Sequence, residues 1–296
     1  MKNEQSIEID VQPAAVGDLR LCFYGAGSMA EAIVRGLLAG ELAKPERIGM
    51  INRSNAERLA ELNERYGIVV PASESDKRTM LADADAIFLC MKPKDAEEAL
   101  RGLAGMLRDG QLLVSVIAGL STATIAKLAG RSVAVVRTMP NTSSTIGLGA
   151  TGIAYNEYVS ASQRELAEAM FRAVGVTAVV DEPLIDGVTA VSGSGPAYIY
   201  YVMEAMIAAG ERLGLTSEAA RDLTVQTVLG AASMVRSTGE QPAELRRKVT
   251  SPGGTTQAAI ETLERREVKD AIMQAMLRAA ERAGEMGAAI ERSAAR

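Results

Sequence analysis

Residues 21–38 read LCFYGAGSMAEAIVRGLL, and the fold follows from how this stretch is parsed. Leu21 to Tyr24 are mainly apolar, the pattern of a buried parallel strand. GAGSMA follows, and then Ile33, Val34, Leu37 and Leu38 recur at helical spacing. This is G-x-G-x-x-A at a strand-to-helix turn. Gly25 permits the tight turn, Gly27 has no Cβ to hold a pyrophosphate away, and Ala30 lets the helix lie close to the strand. The free N–H groups of the helix start would face phosphates, which makes Gly25, Gly27, Ser28 and Met29 candidate cofactor contacts. The stretch reads as the start of a dinucleotide-binding domain. An ordinary glycine-rich turn in another α/β protein is the alternative.

Composition narrows the chemistry. A chain of 296 residues with 48% hydrophobic content has room for two domains. The net charge of -5, with no basic patch carrying interleaved aromatics, argues against nucleic acid as a partner. No run of 18 apolar residues is present, so no membrane span is expected. Residues 1–18 carry no secretory pattern and read as a flexible polar extension. Cys22 and Cys90 both fall in apolar strands and read as small core residues of a reducing, cytoplasmic compartment. Histidine is absent. That excludes a Ser-His-Asp triad, a Cys-His pair and a His-bearing zinc site, and no metal is expected. Proton transfer is left to Lys, Tyr, Asp, Glu, substrate or water.

Further along, Arg47 to Ile51 reads as a second strand. Its end is where an acidic residue would hold the ribose 2′-hydroxyl of NAD. Asn52, Arg53 and Ser54 stand there instead, which suits the 2′-phosphate of NADP, with NAD as the alternative cofactor. Arg53 is the candidate grip; a solvated surface arginine is the other reading. A helix over 55–65 and a short strand at Ile68–Val70 follow. Strands are then expected at Ala86–Cys90, Leu112–Val116, Val133–Arg137, Gly149–Asn156 and Thr177–Asp181, with helices at about 122–128 and after Ser160 or Ser162. Lys92 and Pro93 lie just past a strand end, where open α/β sheets bind ligands. Lys92 could equally be a solvated loop lysine. Asn141, Thr142 and Ser143 also follow a strand end and are candidate contacts to the nicotinamide half of a cofactor or to substrate.

After Asp181 only helices are expected, rich in Ala and Met and apolar over much of their girth. The expected organisation is a dinucleotide-binding domain at 19–181 and a helical substrate and dimerisation domain at 182–296. The helical part would complete its core against another copy. Residues 182–212 contain no lysine, which weakens a hydroxy-acid dehydrogenase reading. A protonated imine needs no strong side-chain acid to accept a hydride. VTSPGGTT, residues 249–256, suits such a substrate. Pro252, Gly253 and Gly254 turn into a helix whose bare N–H groups can take a carboxylate, and a threonine hydroxyl can pair with a ring nitrogen.

Taken in order, GAGSMAEAI at 25–33, KP at 92–93, VVRTMPNT at 135–142, SGSGPAY at 192–198 and VTSPGGTT at 249–256 resemble the pyrroline-5-carboxylate reductase family. The resemblance implies an α/β Rossmann-like domain, then an all-helical domain that intertwines in a homodimer, sometimes assembled further. It implies reduction of Δ1-pyrroline-5-carboxylate to L-proline, the last step of proline biosynthesis, with NADPH or NADH. It puts Asn52, Arg53 and Ser54 on the adenosine-phosphate site. Ser251, Gly253, Gly254 and Thr256 fall on the substrate site, with Thr255 beside them and Thr256 in the catalytic position. The family's common Asn in the glycine loop is Ser28 here, and Tyr24 replaces a more usual aliphatic residue. A paralogue acting on another imine or serving a regulatory role would share these motifs, and a hydroxy-acid dehydrogenase is the other alternative.

Overall fold

Strand β1, Leu21–Tyr24, lies between two parallel neighbours, β2 (Ile48–Ile51) and β3 (Ala86–Leu89). The computed structural model describes residues 16–294. Beyond β3 come β4 (Leu112–Ser115) and β5 (Ala134–Met139), both parallel. Antiparallel β6 (Gly149–Tyr155) follows, and β7 (Gly175–Val179) runs parallel to it, giving the order β2-β1-β3-β4-β5-β6-β7. The chain steps one way from β1 to β2 and the other way to β3. The crevice at the carboxyl ends of β1 and β3 is therefore a topological switch point, where such sheets bind ligands.

Continuous apolar strands are buried on both faces. Leu21 and Phe23 point to one side, where the rings of Phe23 and Phe88 stack at 4.3 Å. Helices α1 (Ser28–Ala39), α2 (Ala56–Tyr66) and α6 (Ala161–Arg172) cover that side with Ile33, Leu62 and Phe171. Cys22, Ile87 and Leu89 point to the other, covered by α3 (Glu74–Asp83), α4 (Pro93–Leu103) and α5 (Thr122–Leu128). Ser160 caps α6 with Gln163 in a capping box.

Two expectations change. The strand at Ile68–Val70 is reduced to one bridge, Gly49 with Val69, made by two hydrogen bonds of 2.9 and 3.0 Å. Pro71 follows and has no N–H to extend the ladder. In the expected extension at 1–18, residues 1–15 lie outside the described residues, while Val16 is buried in the core on the α1 side. Beside the boundary expected at 181/182, contacts divide the described residues into one unit of 16–193 with 280–294 and another of 194–279. In the first unit, α7 (Ile185–Val188) and a wide turn at Thr189–Gly193 lie on β6. The end of α12 (Val268–Ala294) belongs there too: the Glu291 carboxylate accepts from Ser121 Oγ at 3.0 Å, and Ser293 Oγ donates to Glu97 at 3.0 Å.

The second unit holds α8 (Gly195–Arg212), α9 (Ser217–Thr238), α10 (Pro242–Lys248), α11 (Thr255–Arg265) and the beginning of α12. Within one chain, α8 buries no residue and α9 buries only Ala220 and Thr224. Tyr201, Leu213 and Leu229 are among the large apolar side chains left exposed. Among the described residues no helix is long and apolar enough to cross a membrane.

Candidate active site

The turn after β1 is set by close approach. Gly25 has φ +121°, and a Cβ there would lie 2.6 Å from the Cys90 carbonyl, so no other residue fits without displacing backbone. At Gly27 a Cβ would meet no protein atom within 4 Å. Gly27 therefore leaves space rather than relieving a clash. It is the N-cap of α1 and provides no side-chain cap, so the first N–H groups, including those of Ser28 and Met29, remain for an anion. Arg58 on α2 anchors the loop by donating to the Ala26 carbonyl at 3.3 Å and pairing with Glu31. Tyr66 and Arg65 also bond Glu31, at 2.8 and 2.9 Å. Burial raises the Glu31 pKa, but the Tyr66 hydroxyl and Arg58 outweigh it and hold the carboxyl below its ordinary value.

A cleft of about 570 Å³ opens beside this loop. Gly25, Gly27, Asn52, Arg53, Ser54 and Lys92 line it, so six expected cofactor residues meet there. The Asn52 side chain is used inside its own loop: its amide donates to the Asn55 carbonyl at 2.6 Å and its oxygen accepts from Asn55 N–H at 3.2 Å. Asn55 in turn caps α2. The loop so closed presents Arg53 and Ser54 at its exposed tip. Arg53 pairs with Asp95 on α4 at 2.8 Å. Lys92 is the exposed N-cap of α4, and Pro93 starts that helix with its φ already suitable.

Asn141 stands apart from this cleft. It donates to the Ser192 carbonyl at 3.0 Å and accepts from Ala150 N–H at 3.2 Å, so its side chain braces the turn after β5. Sequence reasoning missed Tyr24, Lys77 and Asp95 as cleft residues. Lys77 lies 5.8 Å from the Tyr24 ring centre and 3.3 Å from Glu74. Burial, partly offset by Lys77, raises the Tyr24 phenol above its ordinary pKa. The signal for α3, which brings Lys77 here, was Ser73 before an acidic first turn. Burial also pushes the Cys22 thiol up to about 12 and raises that of Cys90; both are unpaired.

In the other unit, Ser251, Gly253, Gly254, Thr255 and Thr256 come together as one turn and one helix start. Gly253 has φ +72° after Pro252, and Gly254 N–H donates to the Ser251 carbonyl at 3.0 Å, a type II turn. The expected donors are therefore corrected. Gly254 N–H closes the turn, and Gly253 N–H donates to Gln257 Oε1 at 2.7 Å. Gln257 is the third residue of α11, from which a side chain reaches back as in a capping box; that spacing was legible. The N–H groups left without a partner among the described residues are those of Thr255, Thr256 and Gln257, because the N-cap is Gly254 and has no side chain. The Thr256 hydroxyl makes no hydrogen bond within the described residues, so it is free to meet a ligand. Three convergent N–H groups beside a hydroxyl can hold a carboxylate and an adjacent nitrogen.

Residues 182–286 match the family model for pyrroline-5-carboxylate reductase dimerisation, and residues 20–119 match that for coenzyme F420-dependent NADP oxidoreductase. The chain is 44% identical over 276 residues to pyrroline-5-carboxylate reductase 1 of Bacillus spizizenii, covering 93% of this chain and 92% of the relative. A solved pyrroline-5-carboxylate reductase from Coxiella burnetii superposes with TM-score 0.84 at 40% identity, over 90% of this chain and 98% of that one. The Plasmodium falciparum pyrroline carboxylate reductase with NADP bound gives TM-score 0.81 at 27% identity, over 92% and 99%.

Proposed function

The chain belongs to the pyrroline-5-carboxylate reductase family, and we propose from that premise how its own residues carry out the reaction. It reduces the cyclic imine Δ1-pyrroline-5-carboxylate to L-proline with NADP(H) as its cofactor, and it forms a homodimer through the helical domain. Bound NADPH supplies the hydride that the imine carbon accepts.

The single observation that carries the site assignment is the uncapped start of α11 beside a free threonine hydroxyl, in a chain with no histidine. The N–H groups of Thr255, Thr256 and Gln257 receive the substrate carboxylate. Ser251, on the adjoining turn, adds its hydroxyl. Thr256 Oγ1 accepts from the N–H of the protonated imine and so fixes the ring in one orientation. No side-chain acid is needed, because the imine carries its proton when it binds. Gly253 and Gly254 shape the turn rather than touching substrate.

The glycine loop fits a dinucleotide because Gly27 leaves open space in front of an uncapped helix start. The pyrophosphate is held there by Gly25, Gly27, Ser28 and Met29, largely through backbone. Arg53 and Ser54 hold the 2′-phosphate, Asn52 sets their loop, and Lys92 and Pro93 border the cleft. Asn141 acts by bracing the chain after β5. We infer NADPH in preference to NADH, assembly beyond the dimer, and a cytoplasmic setting that keeps Cys22 and Cys90 reduced. The test is NADPH oxidation on adding Δ1-pyrroline-5-carboxylate, with a small 3-hydroxy acid and NADP as the contrasting pair. Turnover of the imine alone supports the reading. Turnover of the hydroxy acid alone defeats it.

A further inference from the structure

We propose that Asp95 limits how strongly the protein favours 2′-phosphorylated over unphosphorylated cofactors, by competing with the 2′-phosphate for Arg53. The inference rests on the cofactor reading above. Strand β2 ends without the carboxylate that would hold a ribose 2′-hydroxyl. The fold supplies one from elsewhere. Pro93 starts α4, and Asp95 in its first turn reaches across the cleft to Arg53, Nη1 to Oδ1 at 2.8 Å. Both residues line the cleft. The Asp95 side chain is 26% exposed and that of Arg53 is 65% exposed, so the carboxylate is the more buried partner and the guanidinium the one open to solvent.

A phosphate that reaches Arg53 comes within ion-pair range of Asp95 and carries the same sign of charge. It must displace or share the carboxylate's partner. A ribose hydroxyl is neutral and can donate to Asp95 instead. The penalty therefore falls on the phosphorylated ligand alone. The other charged groups of the cleft are Glu74, paired with Lys77 at 3.3 Å, Glu98, Lys92 and Lys94, and they stay the same whether or not Asp95 carries its charge. Arg53 thus grips the phosphate from within an existing ion pair, and removing the carboxylate should release it.

The probes are adenosine 2′,5′-bisphosphate and 5′-AMP, which differ only in the 2′-phosphate. Their dissociation constants are measured by calorimetry on wild type and Asp95→Asn, with Asp95→Ser as a second uncharged variant. The expected result is that the bisphosphate binds about fivefold more tightly in both variants while 5′-AMP binds no more tightly, the scale of one exposed charge contact. The gain should shrink in high salt and be smaller in an Arg53→Ala background. An unchanged ratio of the two constants, or a shift toward 5′-AMP, overturns the proposal. An undiminished gain in Arg53→Ala overturns the part given to Arg53. Wild type that binds neither probe would remove the cofactor reading and this inference together. Wild type that binds the bisphosphate and reduces the imine, with variants of unchanged ratio, would remove only the inference.

Discussion

Thr256 has a hydroxyl with no partner in the described chain, one residue into a helix whose first N–H groups are bare. A threonine that served only to start the helix would cap it, and here the cap position belongs to Gly254. Thr256→Ala is therefore expected to lower kcat/KM for the imine by about tenfold or more, the scale of one hydrogen bond in a closed site, while melting temperature and NADPH affinity hold. Thr256→Ser should retain most of the activity. A variant that melts earlier but keeps its kcat/KM would return Thr256 to a structural part. Arg53 invites a parallel test. Arg53→Ala should raise KM for NADPH about tenfold and leave that for NADH nearly unchanged, because a charge-assisted contact is lost only with the phosphorylated cofactor. Equal rises for both would make Arg53 structural. The residue types at both places were legible in the sequence. What the N–H groups of Gly253 and Gly254 bond to was not, because that depends on where the Gln257 side chain and the Ser251 carbonyl fall in the folded turn.

Between elements, two charged clusters fix the frame that carries the sites. Arg137 on β5 has a side chain only 8% exposed and pairs with Asp186 at 3.0 Å and Glu182 at 3.5 Å. Glu182 also accepts from Thr122 N–H at 2.7 Å at the start of α5. The cluster ties β5, α5 and α7 together. Arg137→Ala leaves two carboxylates facing each other and should cost about 3 kcal/mol, read as a fall in melting temperature or denaturant midpoint. The Glu31 cluster joins α1 to α2 behind the glycine loop. Its folded pKa is depressed, so its stabilisation is present above the ordinary carboxylate range and lost as pH falls through the folded value. Glu31→Gln should cost about 1–2 kcal/mol at neutral pH, and the gap to wild type should narrow as pH falls below the ordinary carboxylate range. A gap independent of pH would show that the charge of Glu31 contributes nothing. The elements themselves were largely legible from apolar runs and caps, as at Leu21–Tyr24 and Ser160. The pairing Arg137–Asp186 was not, since residues 49 positions apart in sequence meet only through the crossing of β5 and α7.

On the scale of the whole chain, the helical unit explains why one copy is not enough. Tyr201 and Leu213 stay exposed at 75% and 85%, and α8 buries no residue within its own chain. Burial of such side chains against a partner ties stability to concentration. The melting temperature should rise with protein concentration, and light scattering should give a dimer or a larger assembly; a strict monomer with a fixed melting temperature would contradict this. The apolar girth of these helices was readable in the sequence. That α12 gives its end to the first unit was not, because one unbroken helical pattern runs through both units. The two units together serve one reaction, hydride transfer to an imine carbon. Its most direct test supplies Δ1-pyrroline-5-carboxylate together with NADPH deuterated at the transferring position, and examines the product by mass spectrometry. L-proline with one deuterium on the carbon that was doubly bonded to nitrogen is the predicted result. No proline, or proline without the label, would contradict it.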